Sequence, residues 1–168
     1  MQNRIFLQGE VDRNNIHPPE ARVLTTHSKK VYLLKITLRK LQTSHLTTNE
    51  EAMVRCLAAL ELRDAGDYEG AQEVIRPFWR GIGTRPETGG LYPSNVAEVL
   101  YCVGVLTGWI GSQTQVKGAQ ETAKNLITES VTYFETGGDQ KKVVEARTEI
   151  ANCYWRDGEL NEARNNTP

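Results

Sequence analysis

No stretch of this chain approaches the run of about eighteen apolar residues that a membrane-spanning helix needs. Its opening, MQNRIFLQGEVDRNN, has no apolar core ending in small residues of the kind a secretory leader carries. Cytoplasmic residence is therefore the expectation. Cysteine is scarce: Cys56, Cys102 and Cys153 are odd in number and far apart, which fits small apolar fillers on helix faces better than a disulfide framework. His17, His27 and His45 show no zinc-ligand spacing and no pairing with a cysteine, so neither a metal site nor thiol catalysis is expected. Gly81, Gly83, Gly89 and Gly90 do not follow a strand or lead into a GK[ST] signature, which argues against a phosphate-cradling loop. No cofactor is implied, and the chain is read as noncatalytic.

What is present is a foldable chain of 168 residues, 39% hydrophobic and 24% charged, enough for one domain or a short repeat array with a core of its own. The net charge of -1 hides an asymmetry. Residues 1–48 hold eight Lys or Arg against three acids, a net of +5, and residues 49–168 hold twelve against eighteen, a net of -6. With Pro18, Pro19 and no sustained period, residues 1–48 read as a basic, partly disordered segment ahead of a folded domain at 49–168. The basic residues are dispersed without interleaved aromatics, so a solvated tail is preferred to a nucleic-acid arm. Within that segment, residues 31–46 alternate like a strand yet also carry Leu34, Leu38 and Leu41 on a helical stripe. With no partner strand elsewhere, the balance tilts to a helix.

From Thr48 onward the period is helical. Thr48 and Glu51 have the spacing of a capping box. Ala52, Cys56, Ala59 and Leu60 follow on one face until Ala65, Gly66 and Asp67 supply a turn. Tyr68, Ala71, Val74, Ile75 and Phe78 mark a second helix that Pro77 should shorten or bend. A glycine-rich connector over 81–93 leads to a third helix, with Ser94 as cap and fraying at Gly108–Ser112. A fourth helix runs from Ala119 to Phe134, a fifth begins after Asp139, and a sixth spans Leu160 to Arg164.

Two joints overlay: LAALELRDAGDYEGAQ (57–72) and EIANCYWRDGELNEAR (149–164) share a small residue in the first helix, Arg-Asp near the turn, the turn glycine and an alanine five residues beyond it. With the intervening pair, this resembles a tetratricopeptide repeat array, whose unit is about 34 residues. The family pattern falls on Ala59, Gly66, Tyr68 and Ala71, then on Gly104 with Ala119 or Ala123, then on Ala151, Tyr154, Gly158 and Ala163. The resemblance implies an all-α fold, a right-handed α-α superhelix of helical hairpins with about two and a half to three units. It also implies an array left unfinished by its last short helix, completed by a partner, by self-association or by further chain. Longer bacterial proteins with similar WRGIG, TGWIG and CYWRDG stretches look like scaffold or ligand-sensing arrays, some of them parts of transcription regulators.

In such arrays the first helix of each pair lines a concave groove that receives an extended peptide or a partner helix. By register, the resemblance places Arg63, Glu98, Tyr101, Trp109, Glu145, Glu149, Asn152, Trp155 and Arg156 on that face. The aromatic members divide between two readings, core packing and interface anchors. The family's Lys/Asn/Arg clamp for chaperone tails is not matched, because Cys56, Leu60, Cys102, Glu145 and Glu149 stand at its positions. Glu98, Glu145 and Glu149 instead predict a partly acidic groove and a protein or peptide partner that is basic or mixed apolar-basic.

Overall fold

The structure, a computed structural model, describes residues 39, 41 and 45–167. Residues 39 and 41 are helical. The rest of the basic segment, including most of the ambiguous stretch at 31–46, lies outside the described residues. Six helices are described in full: α1 (Thr48–Asp64), α2 (Tyr68–Ile75), α3 (Pro93–Gln113), α4 (Ala119–Thr136), α5 (Gln140–Arg156) and α6 (Leu160–Asn165). No strand occurs among the described residues. Each helix packs on the next, and α3 also touches α1 and α5.

Local chemistry explains most boundaries. The capping box at α1 sits one residue earlier than the spacing suggested: Thr47 adopts extended geometry, its hydroxyl accepts from the Glu50 N–H at 3.3 Å, and the Thr47 N–H donates to Glu50 Oε2 at 2.9 Å. That backbone N–H, with the Thr47 hydroxyl, holds the Glu50 carboxyl below its usual range. Glu51, the competing partner, pairs instead with Arg55 at 2.7 Å. Asp67 and Asp139 cap α2 and α5 by accepting from the Gly70 and Lys142 N–H groups. Pro77 removes a donor just past Ile75, and α2 stops there. Pro93, not a residue after Ser94, opens α3, since its fixed φ suits the first helical position.

The joints α1–α2 and α5–α6 close in the same way. Gly66 and Gly158 take φ of 81° and 80°, and the N–H one residue later donates back to Leu62 and Tyr154. A glycine is needed there because the left-handed region penalises a Cβ. Thr48 and Gln140, like Asp64 and Arg156, are 92 residues apart, so α1 and α5 match in length and register. Ala59, Ala71 and Ala151 are buried and Ala163 half-buried, while Tyr68 and Tyr154 are half-buried beside them.

Helix α3 does not fray at Gly108–Ser112 but runs to Gln113. Its glycines are spacers. A Cβ on Gly104 would lie 2.6 Å from Ile127 Cγ1 and 3.2 Å from the Ala123 carbonyl oxygen, one on Gly108 would lie 3.3 Å from Cys153 Sγ, and one on Gly111 would collide with the Ala119 methyl. The core divides around α3. One cluster joins Ala52, Cys56, Ala59, Ala71, Ile75 and Trp79 to one side of it, and another joins Ala123, Ile127, Phe134, Ala146 and Ile150 to the other.

The connector before α3 is folded rather than loose. Trp79 is buried in the first cluster and its indole N–H donates to the Thr84 carbonyl at 3.2 Å. Glu87 N–H reaches the Phe78 carbonyl, and Arg85 pairs with Glu129 on α4 at 2.6 Å. Asn49 accepts from the Tyr92 N–H and from the Asn95 amide, tying the start of α3 to α1.

Overpacking at a helix crossing costs about 1–3 kcal/mol. Gly104→Val is therefore expected to lower the unfolding free energy by about that much, read in urea as a lower midpoint at unchanged slope. Gly89→Ala, whose Cβ would meet nothing within 4 Å, should stay within about 0.5 kcal/mol of the parent.

Candidate functional site

The expected groove residues come together on the face shared by α1, α3 and α5, but most are already engaged with one another. Trp109, near the end of α3, lies between contributions from the last turns of its neighbours. The Arg63 guanidinium carbon of α1 is 5.9 Å from its ring centroid, and that of Arg156 on α5 is 4.1 Å away. Arg63 also spans from α1 to α5: its Nη1 meets Glu149 Oε1 at 3.1 Å and its Nη2 meets Asp64 at 2.8 Å. Asn152 donates to the other Glu149 oxygen at 3.3 Å. Cations suit these positions, since the last turn of a helix carries partial negative charge.

Nearer the other end of α3, Lys142 organises the charge. Its ammonium is 3.0 Å from Glu98, 3.6 Å from Glu145 and 5.4 Å from the Tyr101 ring. Burial acts to lower the Lys142 pKa, but its bonds to Glu98 and Glu145 outweigh that, and the pKa is raised. The acidic groove expected from Glu98, Glu145 and Glu149 is thus neutralised from within, because α5 brings Lys142 and α1 brings Arg63 against the same carboxylates. Lys142 carried no signal of its own in the sequence beyond its helical spacing to Glu145.

The aromatic residues split. Tyr101 is core: only 7% exposed, it meets Phe134 edge-on at 6.3 Å, and burial, with Glu149 and Glu145 adding, pushes its phenol well above the usual value. It is not an interface anchor. Trp155 is 65% exposed, as are Val144 and Leu160 to a lesser degree on the same hairpin. On α1, Met53 and Leu57 are exposed at 40% and 56%. Met53 borders a cleft of about 630 Å³ whose other walls include Pro93, Asn95, Glu98, Tyr133 and Phe134. This cleft needs the end of α4 beside the start of α3, a juxtaposition that helical periodicity does not encode.

The comparisons with known proteins return nothing: no family model, no curated protein and no solved structure matches this chain.

Chemistry on the inner face is limited by burial. Cys56, Cys102 and Cys153 are buried and unbridged. Contact with Cys102 together with burial raises the Cys56 thiol pKa, and burial pushes Cys153 up to about 11. Among the described residues no group of three His, Cys, Asp or Glu side chains is placed to hold a metal, and no helix is long and apolar enough to cross a membrane. Outside this face, Lys124 pairs with Glu121 of its own helix at 3.1 Å, ties α4 to the α5–α6 turn through Asp157 at 3.4 Å and Glu159 at 3.7 Å, and lies 4.2 Å from the Tyr154 ring.

Lys142→Met leaves the half-buried Glu98 without its cation and is expected to cost about 1–3 kcal/mol at neutral pH. The Lys142 pKa is raised in the folded state, so its contribution is whole below the ordinary lysine value of about 10.4 and is lost as pH climbs through the higher folded value. Chemical denaturation of parent and variant should therefore show a gap in stability at pH 7 that narrows above pH ~10.4.

Proposed function

We propose that the chain is a tetratricopeptide-like array, a right-handed superhelix of helical hairpins, that binds a protein segment without catalysis on the face formed by α1, α3 and α5. The matched α1–α2 and α5–α6 joints and the buried small residues at Ala59, Ala71 and Ala151 support the repeat reading. Cytoplasmic residence belongs to the same reading. The observation that carries the binding role is the cleft beside Met53. It is roomy, its walls are largely apolar, and with Leu57 it leaves large hydrophobic side chains in water that a partner would cover. Asp139 in its wall, with the carbonyl end of α4 nearby, favours an occupant with an apolar stem and a basic head, which fits a basic or mixed apolar-basic segment.

Fluorescein-labelled short peptides of apolar-basic, apolar-neutral and apolar-acidic composition test this by anisotropy. The apolar-basic class is expected to bind tightest, and Met53→Asp combined with Leu57→Asp to weaken it by about tenfold or more, a loss of about 1.4 kcal/mol. Absence of binding by every class, or indifference to the double substitution, defeats the proposal.

A further inference from the structure

Four buried side-chain nitrogen or oxygen atoms among the described residues lack any hydrogen-bond partner: Arg63 Nε, Trp109 Nε1, Arg156 Nη1 and Gln120 Oε1. Three of the four belong to residues in mutual contact on the inner face, and all three are donors. Leaving a buried donor unpaired costs about 1–3 kcal/mol, and native proteins rarely tolerate it. Three such donors on side chains that meet at the Trp109 ring describe a locus short of acceptors. The nearby charges point the same way. Arg63 is already bonded to Glu149 and Asp64, whereas Arg156 forms no ion pair with any described residue, although its guanidinium is held in place against Trp109.

We infer that Arg156, with the Trp109 indole N–H and the edge of Arg63, forms a subsite for a single carboxylate, supplied by an aspartate or glutamate side chain of the bound segment. A carboxylate offers two oxygens with several lone pairs, so it can take two bonds from the Arg156 fork and one from the indole. Charge matching favours a monoanion. Arg156 is the one cation at this locus without an ion pair among the described residues, and Arg63 already faces two carboxylates, so a phosphate's second charge would stand against Glu149, Asp64 and the negative ends of three helices with no cation left to meet it. Trp109 lies eleven residues along α3 from Glu98, about 16 Å at 1.5 Å per residue. The two loci would therefore fix the direction of a segment that carries a basic residue at one and an acidic residue at the other. This subsite rests on the proposal that the inner face receives a protein segment.

The test uses the full ¹⁵N-labelled chain and follows the three tryptophan indole N–H resonances, with Trp109 assigned by Trp109→Phe. The probes are N-acetyl-glutamate amide, N-acetyl-glutamine amide and inorganic phosphate. The glutamate probe is expected to move the Trp109 resonance downfield to saturation and the glutamine probe to leave it in place. Arg156→Gln should weaken the effect by about tenfold or more, with the Trp79 resonance unchanged as a check that the core remains folded. An unmoved Trp109 resonance, an equal response to glutamine, tighter binding of phosphate, or indifference to Arg156→Gln would each overturn the inference. The two readings fail separately. Peptide binding that depends on Met53 and Leu57 but not on Arg156 sinks the subsite alone. A carboxylate response with no peptide binding supports the subsite and sinks the peptide-binding role.

Discussion

Helix α3 is enclosed on both sides, and that enclosure sets the position of everything else. Nearly every residue from Ala97 to Gly111 is withdrawn from water. Such a helix cannot rest on one apolar stripe and needs neighbours around most of its circumference. Close approach is what makes this possible: at Gly104 and Gly111 α4 comes to within a distance that a side chain would not permit, and at Gly108 Cys153 of α5 and Gln120 of α4 leave little room for one. Two core clusters then form back to back, and α1 and α5 both come to touch the same helix.

The inner face follows from that arrangement. Because α1 and α5 flank α3 in matching register, their last turns deliver Arg63 and Arg156 to the same indole. Earlier in α5, Lys142 meets Glu98. Long side chains from separate helices can share a carboxylate or a ring only when the helices are held at fixed spacing, and a buried charge is costly while it stays unpaired. The result is a face whose carboxylates are satisfied internally, with an apolar cleft at one end and an unpaired arginine at the other. Its polarity belongs to the ends of the helices rather than to the net charge of the residues lining it.

Much of the secondary structure was legible. The turns at Gly66 and Gly158, the cap at Asp139 and the stop at Pro77 rest on interactions within a few residues, so local chemistry suffices to place them. Where local signals competed, the reading slipped. Two threonines each stood three residues before a glutamate at the start of α1, and in the structure Glu50 serves the cap while Glu51 pairs with Arg55. Gly108 and Gly111 look like breakers in isolation and are spacers in context, because α4 offers contacts in place of a side chain. Trp79 fell between a proline and a glycine-rich stretch, where periodicity carries no information, yet it anchors the connector.

The candidate site was legible as a set of residues and illegible as a charge distribution. The resemblance to repeat arrays placed Arg63, Trp109, Glu149 and Arg156 on one face, and helical spacing supplied only the positions within each helix. Which cation would neutralise which carboxylate, whether Tyr101 would face the core or the groove, and which arginine would be left unpaired depend on contacts between helices far apart in sequence. Sequence by itself determined most of the helices and their turns, through interactions that reach no further than a turn. Tertiary structure alone decided the ionic pairing and the cleft, because Coulombic partners and concave walls are set by distance in space.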